Sequence, residues 1–110
     1  MQLQKQVLID VSADNSNSTA AQCDGLLLSG IEFPAAMTGS NVTFDFSYDG
    51  GTWVDVVETD NTEVTYVVSP GNMVRVDPSG WAFAAIGFLR VTSDGNEAAD
   101  RQINLVFKQS

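Results

Sequence analysis

At 110 residues the chain is one domain long, and a domain of this size buries roughly 65% of its unfolded surface, enough for a core without staples. Fourteen acids against five cations give a formal charge of −9, which repels phosphate backbones and anionic lipid, so neither nucleic acid nor membrane is an expected partner. There is no histidine and a single cysteine, Cys23, which excludes Ser-His-Asp and Cys-His catalysis, an intrachain disulfide and the commonest transition-metal ligand.

The punctuation along the chain is that of a β protein, with short alternating apolar runs separated by Gly, Asp, Asn and Ser. Residues 5–11 place Val7, Ile9 and Val11 on one face. The segment 1–11 reads as the domain's first strand or as an N-terminal arm that adds a strand to a neighbour's sheet edge. Residues 12–23 read as a polar loop, centred on the run Ser12 to Thr19. Residues 24–33 carry Leu26-Leu27-Leu28, then Ile31 and Phe33, with Gly30 marking a bulge between them. Pro34 ends that pairing because it offers no amide hydrogen.

Residues 41–48 form the clearest strand. Val42, Phe44, Phe46 and Tyr48 face one way, and Thr43, Asp45 and Ser47 the other. Asp49-Gly50-Gly51 then makes a hairpin turn, and residues 52–58 return with Trp53. Asp60-Asn61 turns into a fifth strand, 63–68, with Val64, Tyr66 and Val68 on one face. Ser69-Pro70-Gly71-Asn72 turns again into a short strand, 73–76, which Asp77-Pro78-Ser79-Gly80 breaks. Trp81 to Ala85 reads as an apolar loop or a single helical turn. Strands at 86–93 and 101–108 complete the chain, the last with Ile103, Leu105 and Phe107 in register. Eight short strands predict an all-β fold, an eight-stranded antiparallel β-sandwich of jelly-roll type, filling one domain over residues 1–110.

No stretch approaches the ~20 apolar residues of a membrane span. The opening Met1-Gln2-Leu3-Gln4-Lys5-Gln6 lacks the apolar segment of a signal peptide, so the expectation is a protein made and kept in a cytosol, or leaving it by lysis or assembly, unless a signal has been removed. Catalysis requires a preorganised acid, base, nucleophile or metal, and no such constellation stands out: the expectation is a non-enzyme without cofactor or metal. Asp55, Glu58, Asp60 and Glu63 are the densest acidic group; they suit a solvated hairpin tip better than a calcium loop, whose spacing they lack. Trp53, Trp81, Phe83, Tyr48 and Tyr66 are the candidate sugar-stacking rings, Trp53 and Trp81 foremost, weighed against their use as core filler and as plugs for the open ends of a sandwich. Arg90, inside an apolar strand, is expected to face solvent or pair with an acid.

Several segments together carry a family likeness. Gly30-Ile31-Glu32-Phe33-Pro34-Ala35-Ala36-Met37-Thr38-Gly39 leads into Val42-Thr43-Phe44-Asp45-Phe46-Ser47-Tyr48-Asp49-Gly50-Gly51-Thr52-Trp53. Asp77-Pro78, Gly87 to Ser93 and Ala98 to Phe107 follow. The chain resembles the capsid decoration (cement or staple) proteins of short-tailed bacteriophages, over residues 25–108. The resemblance implies a virion structural protein on the outer surface of the capsid, made in the bacterial host cytoplasm. It would reinforce contacts between major capsid protein subunits as a homo-oligomer, a dimer before a trimer. It brings no catalytic or interface residues with it. The alternative is a carbohydrate-binding module or phage fibre domain recognising host glycans through Trp53 or Trp81.

Overall fold

The computed structural model describes residues 3–109. Among them the chain is all-β, with two antiparallel sheets. The strands are β1 (Gln4–Ile9), β2 (Ala21–Gln22), β3 (Leu27–Glu32), β4 (Asn41–Ser47), β5 (Val54–Asp55), β6 (Thr65–Val67), β7 (Met73–Arg75), β8 (Phe88–Ser93) and β9 (Arg101–Lys108). One sheet runs β1-β9-β3-β7; the other runs β2-β8-β4-β5, with β6 also paired to β4.

Period-two alternation decides which face each strand buries. Val7 and Ile9, Ile103, Leu105 and Phe107, Val42, Phe44 and Phe46, and Leu89 and Val91 all join one core shared by both sheets. β3 changes parity on the way: Leu26 and Leu28 are buried before Ser29, Ile31 and Phe33 after it. The cause is a bulge. Leu28 pairs with Phe107 and Gly30 with Val106, so Ser29 is the extra residue, its hydroxyl bonded to the Val106 carbonyl (3.2 Å). Without that slip Ile31 would face solvent.

The polar stretch 12–23 is more ordered than its composition suggests. Asp14 accepts from the Ser16 and Asn17 amides (3.0 Å each) and folds the tip. Beyond it the chain runs along β8. Asn17 bridges Thr92, and the Ser18 amide donates to Val91 O (2.8 Å) while the Val91 amide donates to Ser18 Oγ (2.9 Å). β2 completes this run, a strand that the sequence pattern did not reveal.

β5 and β6 lie along the same edge of β4. Val54 and Asp55 pair with Phe46 and Asp45, and Thr65 to Val67 pair with Thr43 to Asn41. Between them the chain leaves the sheet as a hairpin, closed by the Val57–Glu63 bridge and turned at Asn61 (φ 69°). The edge strand is thus interrupted rather than doubled.

Residues Pro78–Ile86 form consecutive 3-10 turns, longer than the single turn expected. Asp77 caps them by accepting from the Ser79 amide (3.1 Å), and Pro78 sits where no amide hydrogen is needed. Trp81 and Ala84 turn inward. Trp81 meets Phe44 edge-on, with ring centroids 4.9 Å apart. At the opposite turn cluster the buried Glu97 carboxylate accepts from the Thr38 amide (2.7 Å), the Gly39 amide (2.8 Å), Ser93 Oγ (2.7 Å) and Arg101 Nε (2.8 Å).

Candidate functional site

The inward face of β4 continues past the point where the sheets cover it. Phe46 is buried, but Tyr48, two residues on, is 76% exposed, and Val54, paired opposite Phe46, is 57% exposed. Phe83, on the 3-10 turns, packs against Phe46 (5.6 Å between centroids) and stacks on Trp81 (5.7 Å), yet remains 47% exposed. Phe46 and Tyr48 pack edge to face at 4.9 Å. Together these side chains leave an apolar mouth beside the interrupted edge strand. Scattered exposed apolar residues are ordinary, whereas a contiguous group of them marks a surface that something covers.

Two concavities adjoin in this mouth. One, of about 320 Å³, lies over Phe46, Tyr48, Val54 and Phe83, with Asp55 at its border. The other, of about 400 Å³, is lined by Tyr66, Trp81, Phe83 and Val64, with Glu58 and Asp77 at its border. They share Val56, Val57 and Phe83 in their walls. The linings hold three acids and no Lys or Arg among the described residues. In the deeper one the Trp81 indole N–H donates to Tyr66 Oη (3.2 Å). Burial raises the Tyr66 phenol above its ordinary value against that bond, and the charges of Glu58 and Asp77 push it the same way. The deeper concavity is therefore both aromatic and electronegative.

A second constellation occupies the outer face of the same sheet. Asp45 and Arg90 are cross-strand neighbours joined by a 2.8 Å ion pair, and the Arg90 guanidinium lies over the Trp53 ring at 4.6 Å. Asp55 stands directly opposite Asp45 on β5. A hydrogen bond to Asp45 and the Asp45 charge raise the Asp55 carboxyl above its ordinary value. Arg90 is thus spent on Asp45 and on one face of Trp53.

No family model matches the chain, and no curated protein or solved structure matches it.

The two foremost candidate stacking rings do not form one platform. Trp53 is half-buried on the outer face beneath Arg90, whereas Trp81 is 4% exposed on the inner side, where it forms part of the floor of the mouth. The acidic group disperses in the same way. Asp55 turns toward Asp45, Asp60 accepts from the Thr62 amide and hydroxyl inside its own turn, and Glu58 flanks the mouth. No three His, Cys, Asp or Glu side chains gather into a metal-sized cluster among the described residues. Cys23 is fully buried, and burial pushes its thiol up to about 11, with Lys5 acting against this and Asp24 with it. Sequence reasoning missed Val54 as a surface-forming residue and Phe46 as the buried floor beneath it, whereas Tyr48 and Phe83 are among the aromatic candidates of the sequence. Only the place where the sheet edge ends decides that Tyr48, Val54 and Phe83 meet solvent.

Proposed function

We propose that this chain is a structural component of a tailed-phage virion. It decorates the outer surface of the capsid and reinforces contacts between major capsid protein subunits. Its role is binding alone, and no chemistry, cofactor, nucleic acid or membrane enters the reading. The protein is made in the bacterial host cytoplasm, joins the shell after assembly, and acts as a homo-oligomer, a dimer before a trimer.

The fold belonging to this proposal is an eight-stranded jelly roll, an architecture common among viral capsid proteins. Strand order supports it. With β5 and β6 counted as one interrupted strand, one sheet holds the first, eighth, third and sixth strands, and the other the second, seventh, fourth and fifth. Strands that follow one another in the chain then lie in opposite sheets at nearly every step, as two nested Greek keys require.

The observation that carries a binding role is the apolar mouth of Tyr48, Val54 and Phe83 over Phe46. The segments that resemble decoration proteins supply the identity of the partner. A protein that adds to a rigid, repeating shell gains strength from many modest contacts made at once. A glycan-binding role would use Trp53 instead, and Arg90 already covers one face of that ring.

The test is sedimentation. Purified protein mixed with undecorated shells is expected to pellet with them at a fixed ratio to coat subunits and to raise their heat-disruption temperature. Protein that stays in the supernatant, with shells no more heat-resistant than before, would end this reading. A glycan-array signal lost in Trp53→Ala would replace it with the binding-module alternative.

A further inference from the structure

We infer that the two adjoining concavities form one docking groove for a protein face that presents a Lys or Arg side chain beside an apolar one. This deepens the shell-binding proposal and rests on it for the identity of the partner. The groove's own chemistry stands apart from that identity.

The two halves of the groove differ in character. Around Phe46, Tyr48, Val54 and Phe83 the surface is apolar, with Asp55 at its border. An aliphatic or aromatic side chain fits there, because burial of exposed apolar area on both partners is favourable. Beyond Val56 and Val57 the walls become Tyr66 and Trp81, flanked by Glu58 and Asp77. A cation is attracted both to aromatic faces and to carboxylates. The long apolar stem of Lys or Arg also suits a pocket that is aromatic inside and charged at its border.

Charge complementarity decides the class of occupant. Glu58 and Asp77 flank the aromatic half of the groove and no cation lines either half, among the described residues, while Asp55 reaches only its border because its carboxyl turns to Asp45. Of the chain's five cations, Lys5, Arg90 and Arg101 are held in ion pairs with Asp24, Asp45 and Glu97. A second copy docking face to face would set Glu58 and Asp77 against the same two charges. Like charges opposed across an interface disfavour that pairing. A partner with a basic, apolar face answers both features, and Arg is among the residues enriched at interface centres.

Two measurements test this. The first uses the free protein and small probes: n-butylguanidinium chloride, and n-butanol in sodium chloride of matched ionic strength, each titrated while the two indole N–H resonances are followed by NMR. Butylguanidinium is expected to shift the Trp81 indole signal saturably and to leave that of Trp53 in place. Butanol is expected to produce no saturable shift, and Glu58→Gln to weaken the guanidinium response several-fold. No saturable Trp81 response, or an equal response to butanol, overturns the inference.

The second uses undecorated shells with Val54→Asp and Glu58→Lys, both at exposed positions. Each is expected to lower shell affinity at least about tenfold while the circular dichroism spectrum is unchanged; tenfold is about 1.4 kcal/mol. Variants that bind shells as tightly as the parent overturn the groove as the docking face and leave the decorating role standing. A parent protein that binds no shells removes the decorating role, while the guanidinium titration still decides the groove. A solution dimer that Val54→Asp dissociates assigns the mouth to a second copy and also overturns the inference.

Discussion

Glu97→Gln offers the most informative perturbation of the fold. The Glu97 side chain is fully buried, and its two oxygens take four donors: the Thr38 and Gly39 amides, Ser93 Oγ and Arg101 Nε. Burial alone would raise its carboxyl, yet the Thr38 amide, Arg101, Ser93 and the Gly39 amide together hold it down to about 2 from an ordinary 4.5. That difference corresponds to about 3 kcal/mol of stability at neutral pH. The glutamine keeps the shape but turns an amide NH₂ toward a backbone donor and leaves Arg101 without its counter-charge, for which a loss of about 3 kcal/mol is also reasonable. Because the folded carboxyl is depressed, its stabilisation is complete above about pH 4.5 and fades as pH falls toward 2. Urea unfolding at pH 7 should therefore show the variant about 3 kcal/mol weaker, with a melting temperature roughly 10–15 °C lower. The gap between parent and variant should narrow steadily below pH 4.5. A variant within about 1 kcal/mol of the parent at pH 7, or a gap that does not change between pH 6 and 3, would refute the assignment of Glu97 as a charged staple.

Other outcomes follow from single contacts. Asp55→Asn should stabilise the protein by a few tenths to about 1 kcal/mol at pH 7, because it removes a like charge directly opposite Asp45; since the folded Asp55 carboxyl is raised, the benefit should disappear as pH falls and the acid protonates. Gly87→Ala should destabilise by at least about 2 kcal/mol, since its methyl would overlap the Ser47 carbonyl oxygen and lie 2.6 Å from the Phe46 ring; a melting curve matching the parent would contradict this packing. Cys23 should react with a thiol reagent at pH 8 only on the timescale of unfolding, and at once in denaturant. Acrylamide should quench the Trp53 fluorescence and spare Trp81, so Trp53→Phe should leave an emission that the quencher barely touches.

The sequence displayed the strands wherever alternation was carried by apolar residues. β4 and β9 are legible to within a residue, because Val42, Phe44 and Phe46, and Ile103, Leu105 and Phe107, contrast with polar neighbours. β2 was not legible: the chain leading to it along β8 alternates through Asn17, Ser18 and Thr19, and the buried member is a serine. Asp77-Pro78-Ser79 is a cap followed by a helix-compatible proline, yet its cluster of turn-forming residues reads equally as a break, so the length of the 3-10 segment stayed hidden. Two alternating runs, 52–58 and 63–68, correctly suggested extended chain, but alternation does not say that both lie along the same edge of β4. The candidate site was legible in its ingredients only. Aromatic side chains at 46, 48, 66, 81 and 83 were plain; which of them remain in contact with solvent depends on where a sheet ends, and that is a tertiary fact.

The interrupted edge strand links protection of the sheet edge to the proposed groove. A continuous strand along that edge of β4 would present a row of free amides and carbonyls, an invitation to pair with another copy. The 57–63 hairpin breaks the row and places Glu58, Asp60 and Glu63 on the excursion, so another copy meets both an interruption and like charge. The same excursion raises Val57, Glu58 and Thr59 as one wall of the deeper concavity. A flush edge strand would leave Trp81 and Phe83 at a shallow seam; the hairpin makes that seam a groove with an acidic lip. The feature that discourages pairing of copies along this edge is thus the feature that gives the proposed groove its preference for a basic partner. Neutralising the hairpin acids should therefore weaken binding to a basic face and promote self-association together, and the two effects should scale with the same number of charges removed.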